Sequence, residues 1–330
     1  MNRKSPEINL LLCGSTEVSR IMGISAAGAN PDLTFLTPAL DAELIDTGKC
    51  ISMELPPMTP EGIPSPALIT RVCSQITGIK TLAVNAGMKI KPKSTFIETG
   101  LEPAKDGSKE KALPQYDIAW KAGQKIGEML EGRFDSVMIS ESIPGGTSTA
   151  LSVMRYFNGK IRTSSSFRND PSGIKENYAK KVLERTGKIS SPEKAMEETG
   201  DYTQVIGISL IKYLKNTPIV LAGGTQMSAV YHLAHLMKMN MEKVSLWTTD
   251  LVFNHRKEDI LSMVPEDSIS AYRLNFSGSV HWGLREYGKG EVREGAGMGG
   301  MLNLAGKCLT HDELLSRIDM GYTEITGKTD

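Results

Sequence analysis

The sequence lacks several features that would each indicate a particular class of protein. Only four of its 330 residues are cysteines. They are widely spaced, at Cys13, Cys50, Cys73 and Cys308, and no Cys-x-x-Cys pair occurs. Neither a disulfide scaffold nor a thiolate zinc site is therefore indicated. Aromatic residues make up only 6% of the chain, which argues against platforms that stack on nucleic-acid bases.

Net charge and long apolar runs are absent as well. Lysine plus arginine and aspartate plus glutamate number 38 each, so no overall field attracts the chain to nucleic acid or to an anionic membrane. The apolar run at residues 10–12 is too short for a signal-peptide core, and no run approaches the ~20 residues of a membrane span. We expect a soluble, cytoplasmic protein with no nucleic-acid or membrane partner.

What the chain does contain is a regular alternation of strand-like and helix-like segments. Strand-like runs occur at residues 8–13, 81–84, 137–139, 219–221 and 244–247, and helical patterns lie between several of them. This alternation predicts an α/β fold with a doubly wound, mainly parallel sheet flanked by helices. We predict one domain over residues 1–330, and leave open whether the segments at about 1–70 and 297–330 pack as a smaller subdomain.

Two glycine-rich loops follow strand-like runs and precede helices. The first contains Glu141, Gly145, Gly146, Thr147, Ser148 and Thr149, and the second contains Gly223, Gly224, Thr225 and Gln226. Loops at the carboxyl ends of parallel strands line the ligand crevice of open α/β sheets, and the helix N-terminus after each loop favours an anion. We predict a nucleotide-sized ligand at this edge. The alternative is that the glycines form ordinary turns and the hydroxyl residues ordinary helix caps.

A third glycine-rich stretch lies near the C-terminus. Residues 295–300 formally match the dinucleotide fingerprint Gly-x-Gly-x-x-Gly. No strong strand precedes them, however, and the 30 residues that follow are too few for a full βαβ unit and its next strand. We interpret the stretch as a tight loop in which Gly295 and Gly297 present Glu294 next to backbone N–H groups, before a helix of small residues.

In residue type and order, these three motifs resemble the nicotinate-nucleotide:dimethylbenzimidazole phosphoribosyltransferases of cobamide biosynthesis, and most closely their archaeal-type branch. The resemblance implies that Glu294 is the general base and that the loop at residues 145–149 holds the phosphate of nicotinate mononucleotide. Glu141 would orient the ribose or support charge at C1′. The lysine that the family places near the phosphate would be Lys175. Residues 223–226, with Gly295 and Gly297, would complete the substrate site.

The same resemblance implies the reaction and the partners. Phosphoribosyl transfer from nicotinate mononucleotide to a benzimidazole-type base requires no metal and no cofactor, and the family implies a homodimer. Thr225 and Gln226 stand where the bacterial enzymes have an aromatic residue and a carboxylate. Two alternatives remain: a non-catalytic nucleotide-binding homologue or scaffold, and another N-glycosyl transferase or hydrolase on the same fold. The presence of both Glu141 and Glu294 favours an enzyme.

Histidines offer weaker candidates. His232 and His235 share a predicted helix face at i, i+3, but no third ligand lies nearby in sequence, so solvated or capping roles fit them better than a metal site. For His281, beside Trp282, a buried and hydrogen-bonded side chain fits better than a ring that stacks on a substrate base.

Overall fold

A parallel sheet forms the centre of the molecule. The computed structural model describes residues 5–28, 32–54, 56–59 and 61–327. Within these ranges the strands are β1 (Ile8–Cys13), β2 (Lys80–Asn85), β3 (Phe96–Ile97), β4 (Val137–Ser142), β5 (Ile219–Ala222), β6 (Val244–Thr249) and β7 (Ile269–Tyr272). They pair in the order β3-β2-β1-β4-β5-β6-β7, and every pair is parallel.

The chain winds outward from the middle of this sheet in both directions. From β1 it runs to β2 and β3 on one side, and it then crosses to β4 on the other side of β1 before continuing to β7. The predicted doubly wound fold is therefore confirmed. The reversal between β1 and β4 creates a crevice at the carboxyl edge, which is where open α/β sheets bind ligands.

Helices cover both faces of the sheet. In the described ranges they are α1 (Thr37–Thr47), α2 (Ala67–Thr77), α3 (Tyr116–Leu130), α4 (Gly146–Met154), α5 (Ser172–Thr186), α6 (Pro192–Thr199), α7 (Tyr202–Tyr213), α8 (Thr225–Leu236), α9 (Asp250–His255), α10 (Lys257–Leu261), α11 (Trp282–Tyr287), α12 (Met298–Ala305) and α13 (His311–Thr326). One apolar core lies beneath α3, α4, α7 and α8. The other lies beneath α1, α2, α12 and α13, so helices from both ends of the chain share a core with the sheet.

Several boundaries differ from those predicted. The residue type of Asp117 predicts a helix N-cap, but α3 begins at Tyr116 with Gln115 as its N-cap, and Asp117 lies in the first turn. The strands β3 and β7 and the helices α5, α6 and α9 to α11 were not predicted. Strand β3 has two residues, and α9 to α11 have five or six each, which is too short for a periodic pattern to show.

Other local predictions hold. The spacing of Thr310 and Glu313 is typical of a capping box, and both reciprocal hydrogen bonds are present at the start of α13. His281 is buried, and its Nε2 lies 3.0 Å from the carbonyl oxygen of Asp319. In the part of the chain that the structure describes, no helix combines the length and apolar character that a bilayer crossing requires.

Asp201 joins two helix starts behind the carboxyl edge. Its carboxylate is fully buried and caps α7, because Oδ1 accepts the backbone N–H groups of Thr203 (3.0 Å) and Gln204 (3.3 Å). Its Oδ2 accepts the hydroxyl of Thr149 at 2.5 Å and the side-chain amide of Gln204 at 3.1 Å. The first turn of α4 is thereby fixed to the first turn of α7.

We expect the substitution Asp201→Ala to lower the free energy of unfolding by about 2–4 kcal/mol, because it removes a helix cap and leaves several buried donors without an acceptor. Urea denaturation measures this loss. As a matched control, Glu128→Ala on the exposed side of α3 should change the free energy by less than about 0.5 kcal/mol. A loss below about 1 kcal/mol for Asp201→Ala would contradict the assigned role.

Candidate active site

A cleft opens at the carboxyl edge of the sheet, beside the reversal between β1 and β4. The space between its atoms, with open solvent at its mouth included, is about 990 Å³. Its lining comes from distant parts of the sequence: residues 24–28, Thr37, Asp41, Pro57, Met58, Thr59, Ile63, Ser65, Pro66, residues 141–147, 164–166 and 224–226, Val252, and residues 292–296. All three predicted glycine motifs therefore contribute residues to one cleft.

Three helices begin at this cleft. Helix α4 follows the N-cap Gly145, α8 follows Gly224 and α12 follows Gly297. Gly145 and Gly297 have φ values of 81° and 78°, which a residue with a side chain rarely adopts. The free N–H groups and the positive dipole ends of helix N-termini favour a negatively charged ligand. The geometry thus suits an anion at the place the sequence predicted.

The two Gly-Gly-Thr loops are packed against each other. A Cβ placed on Gly146 would lie 2.2 Å from Oε1 of Gln226, so a side chain at that position would displace the amide group of Gln226. Gln226 is held from behind by a bond of 3.1 Å from its Nε2 to Oγ1 of Thr203. Thr225 accepts the backbone N–H of Ser164 on its Oγ1 at 3.0 Å, which adds a third segment to the same wall.

Glu294 lies in the cleft and is held by backbone donors. Its Oε1 accepts the N–H groups of Gly299 at 2.9 Å and Gly295 at 3.3 Å, and its Oε2 accepts the N–H of Thr249 at 3.0 Å. Gly299 belongs to the first turn of α12, so the carboxylate also occupies the positive end of that helix. A Cβ on Gly299 would lie 2.5 Å from Oε2 of Glu294, and only glycine permits this approach.

Burial raises the pKa of Glu294 to about 7, although its three backbone hydrogen bonds favour the charged form and oppose the shift. Near neutral pH this side chain therefore exists in both protonation states. A carboxyl group with such a pKa is suited to accept a proton from a substrate and release it again.

The backbone around Glu294 is strained. Val292 and Ala296 have φ values of 48° and 50°, and each such residue costs about 1–3 kcal/mol. Hydrogen bonds to distant segments maintain the conformation: the N–H of Val292 donates to the carbonyl of Ser166 at 2.9 Å, and the N–H of Ala296 donates to the carbonyl of Glu141 at 3.0 Å. Strain that is maintained in this way is typical of functional sites.

Glu141 is the second carboxyl group of the cleft. It is 8% exposed, and burial raises its pKa well above the usual range, with further increases from the negative charges of Asp201 and Glu294. Both effects favour the neutral form of Glu141. Carboxyl groups that lie in different environments within one site can serve different roles in a reaction.

Two cationic side chains donate hydrogen bonds to the backbone of the serine segment at residues 164–166. Arg293 donates from one guanidinium nitrogen to the carbonyls of Ser165 at 2.7 Å and Phe167 at 2.8 Å. Lys175 is buried, its Nζ donates to the carbonyl of Ser164, and burial lowers its pKa to about 8. The ammonium group is therefore separated from the cleft by the serine backbone.

Some of the predicted site residues line the cleft, and the others lie behind its surface. Those that line the cleft are Glu141, Gly145, Gly146, Thr147, Gly224, Thr225, Gln226, Glu294 and Gly295. Behind this surface lie Ser148, Thr149, Lys175, Gly223 and Gly297. Thr149 bonds to Asp201, and Gly297 packs where a Cβ would lie 2.8 Å from Cβ of Ser140.

Sequence reasoning missed several cleft residues. Asp41 and residues 164–166 line the cleft, and Thr249 donates its N–H to Glu294. Two of these left a signal in the sequence: Asp41 is an acid within the apolar pattern of α1, and residues 163–166 are four hydroxyl side chains in succession. Thr249 acts through its backbone at the end of β6, so its residue type carries no signal.

Comparison of the sequence with known proteins identifies the family. No protein-family model matches the chain. A UPF0284 protein of Thermoplasma volcanium is 42% identical over 296 residues, which cover 90% of this chain and 87% of the relative. The chain belongs to the UPF0284 family. Further members from Thermoplasma acidophilum and Saccharolobus solfataricus are 38% and 34% identical, and each alignment covers 96% of this chain and more than nine-tenths of the relative.

Comparison with solved structures shows which fold this family has. The nicotinate-nucleotide-dimethylbenzimidazole phosphoribosyltransferase of Thermus thermophilus superposes with a TM-score of 0.64 at 12% identity, over 99% of this chain and 87% of that one. A second structure, of CobT from the same organism, gives 0.64 at 13% identity, over 98% and 87%. The UPF0284 chain thus shares the fold of these enzymes, as the resemblance of its motifs implied.

The shifted pKa of Glu294 predicts a pH-dependent stability. A carboxyl group whose pKa is raised on folding binds more protons in the folded state, so the wild type should lose stability relative to Glu294→Gln as the pH rises from 4.5 to about 7. Each pKa unit corresponds to about 1.4 kcal/mol. Urea unfolding of both proteins between pH 4 and 8 measures the difference, and a difference that does not change with pH would contradict the assigned pKa.

Proposed function

We propose that this protein transfers the phosphoribosyl group of nicotinate mononucleotide to a benzimidazole-type base, which yields nicotinate and an α-riboside phosphate for the nucleotide loop of a cobamide. One observation carries the proposal: Glu294, with a pKa near 7, lies in the cleft at which α4 begins with a glycine turn suited to an anion. The fold shared with the Thermus thermophilus phosphoribosyltransferase supports it.

The nucleotide occupies the polar side of the cleft. The glycine turn at residues 145–147 and the N-terminus of α4 receive the phosphate, with the serines at 164–166 and the positive charge of Arg293 beside it. Lys175 contributes positive charge from behind the serine segment. Holding both reactants in place makes the attack effectively unimolecular. In favourable systems this lowers the activation free energy by up to ~7–11 kcal/mol.

Glu294 activates the base. Its carboxylate takes the proton from one ring nitrogen, and the other ring nitrogen attacks C1′ of the ribose. The bond between C1′ and the pyridinium nitrogen breaks, and its electron pair neutralises the cationic ring, so nicotinate is a good leaving group. Attack from the opposite face inverts the configuration from β to α.

Glu141 has a different role from Glu294. Because its raised pKa favours the neutral carboxylic acid, it is better suited to hydrogen-bond and orient the ribose than to stabilise positive charge at C1′. By the resemblance of the motifs we also assign the protein as a cytoplasmic homodimer.

The direct test is to incubate the purified protein with nicotinate mononucleotide and a panel of benzimidazoles and phenols. We expect release of nicotinate together with a new α-riboside phosphate. Glu294→Gln should lower turnover by roughly two to four orders of magnitude, the usual contribution of a general base, while nucleotide binding persists. Glu128→Gln, on the exposed face of α3, is the matched control and should keep wild-type turnover.

Other outcomes separate the alternatives. Nicotinate release without a new riboside would indicate a hydrolase in which water replaces the base. Nucleotide binding without any release would indicate a non-catalytic homologue. Near-normal turnover by Glu294→Gln would remove this residue from the role of general base.

The pKa of Glu294 also predicts a pH profile. The general base must be ionised, so kcat/KM should rise about tenfold for each pH unit below about 7 and become constant above it. Initial rates at subsaturating concentrations of an uncharged base, between pH 5 and 9, provide the measurement. A profile that is already constant at pH 5 would show that the proton acceptor has an ordinary carboxyl pKa.

A further inference from the structure

The cleft holds one more carboxylate, which the proposed reaction does not use. Among the described residues that line the cleft, the carboxyl side chains are Asp41, Glu141 and Glu294. Asp41 belongs to α1, on the opposite face of the sheet from α4, and is 3% exposed. A buried acid is costly unless it is paired, so its presence in the cleft wall requires an explanation.

Hydrogen bonds fix the position of Asp41. Its Oδ2 accepts the hydroxyl of Ser142 at 2.6 Å, and its Oδ1 accepts the hydroxyl of Ser65 at 2.7 Å. Ser142 directly follows Glu141 at the end of β4. Ser65 precedes Pro66, whose Cγ lies 3.2 Å from a Cβ placed on Gly295. Asp41 therefore lies on the wall between the segments that carry the other two carboxyl groups.

Asp41 is joined through Ser65 to a segment that supplies apolar side chains to the cleft. Pro57, Met58, Ile63 and Pro66 of this segment line the cleft, whereas we place the nucleotide beside the serines at 164–166 and Arg293. A flat aromatic base fits an apolar wall of this kind, whereas a phosphate does not. Under the proposed function, we place the acceptor base against this apolar segment, where it can reach Asp41.

Asp41 retains the capacity to accept a further hydrogen bond. An ionised carboxylate has about four acceptor positions, and the two serine hydroxyls occupy two of them. Burial raises the pKa of Asp41 to about 6, and the serine hydroxyls oppose the shift. Above that pH the side chain is mainly an acceptor and has no proton to donate.

We propose that Asp41 selects the acceptor base, by accepting a hydrogen bond from an O–H or N–H group that the base carries on its six-membered ring. This inference rests on the proposed function. It names the substrate class more closely: a hydroxy- or amino-substituted bicyclic base is preferred over 5,6-dimethylbenzimidazole. Methyl groups at the same place would cover the carboxylate without donating a hydrogen bond to it. The loss of a hydrogen bond to a charged group lowers kcat/KM by about 10- to 100-fold.

Two bases of similar size test the proposal. We expect the wild type to use 5-hydroxybenzimidazole with a kcat/KM at least tenfold above that for 5-methylbenzimidazole, mainly through KM. Asp41→Leu should reverse this order, because leucine is apolar and of similar size, and Asp41→Asn should retain part of the preference through its amide oxygen. Glu128→Leu, at an exposed position of α3, is the matched control and should keep the wild-type ratio of the two kcat/KM values.

Each outcome decides the proposal. An unchanged ratio in Asp41→Leu, or a wild-type ratio near one, overturns it. Should Asp41→Leu fail to fold, calorimetric binding of the two bases to the wild type and to Asp41→Asn replaces the kinetic comparison. Should no base be turned over, the proposed function fails by itself, and calorimetry still tests Asp41: tighter binding of the hydroxy base that weakens in Asp41→Asn supports the role, and equal binding overturns it.

Discussion

The carboxylate of Glu294 is held by backbone N–H groups in the partly buried wall of the cleft, and the site depends on this interaction. The three donors come from the end of β6, from the loop itself and from the first turn of α12. Burial favours the neutral acid, whereas the donors and the helix dipole favour the anion. Their balance leaves the pKa near 7, where a proton acceptor is most useful.

Such close approach of backbone to carboxylate requires glycine at Gly299. A Cβ there would meet the backbone of Thr248 at 2.4 Å and Oε2 of Glu294 at 2.5 Å. Parallel pairing of β4, β5 and β6 brings their carboxyl ends side by side. Loops that are more than 70 residues apart in sequence can therefore form one wall, and their hydrogen bonds offset the strain at Val292 and Ala296.

The cleft combines carboxyl groups in three electrostatic environments. Burial raises the pKa of Asp41 to about 6 and that of Glu294 to about 7, and burial together with the negative charges of Asp201 and Glu294 raises the pKa of Glu141. One cavity thereby holds three carboxyl groups in different environments. Its lining combines polar residues, among them the serines and Arg293, with apolar residues such as the prolines.

The sequence by itself determined the sheet class, the edge at which the glycine loops meet, and the presence of Glu294 among them, because strand length, glycine pairs and helical periodicity are local properties. Only the tertiary structure decided that Lys175 lies behind the serine segment and that Asp41 joins the cleft. The bond from Ser142 to Asp41 spans 101 residues, and burial, which sets each pKa, is a property of the packed chain. No local sequence pattern encodes a hydrogen bond over this distance or the burial of a side chain.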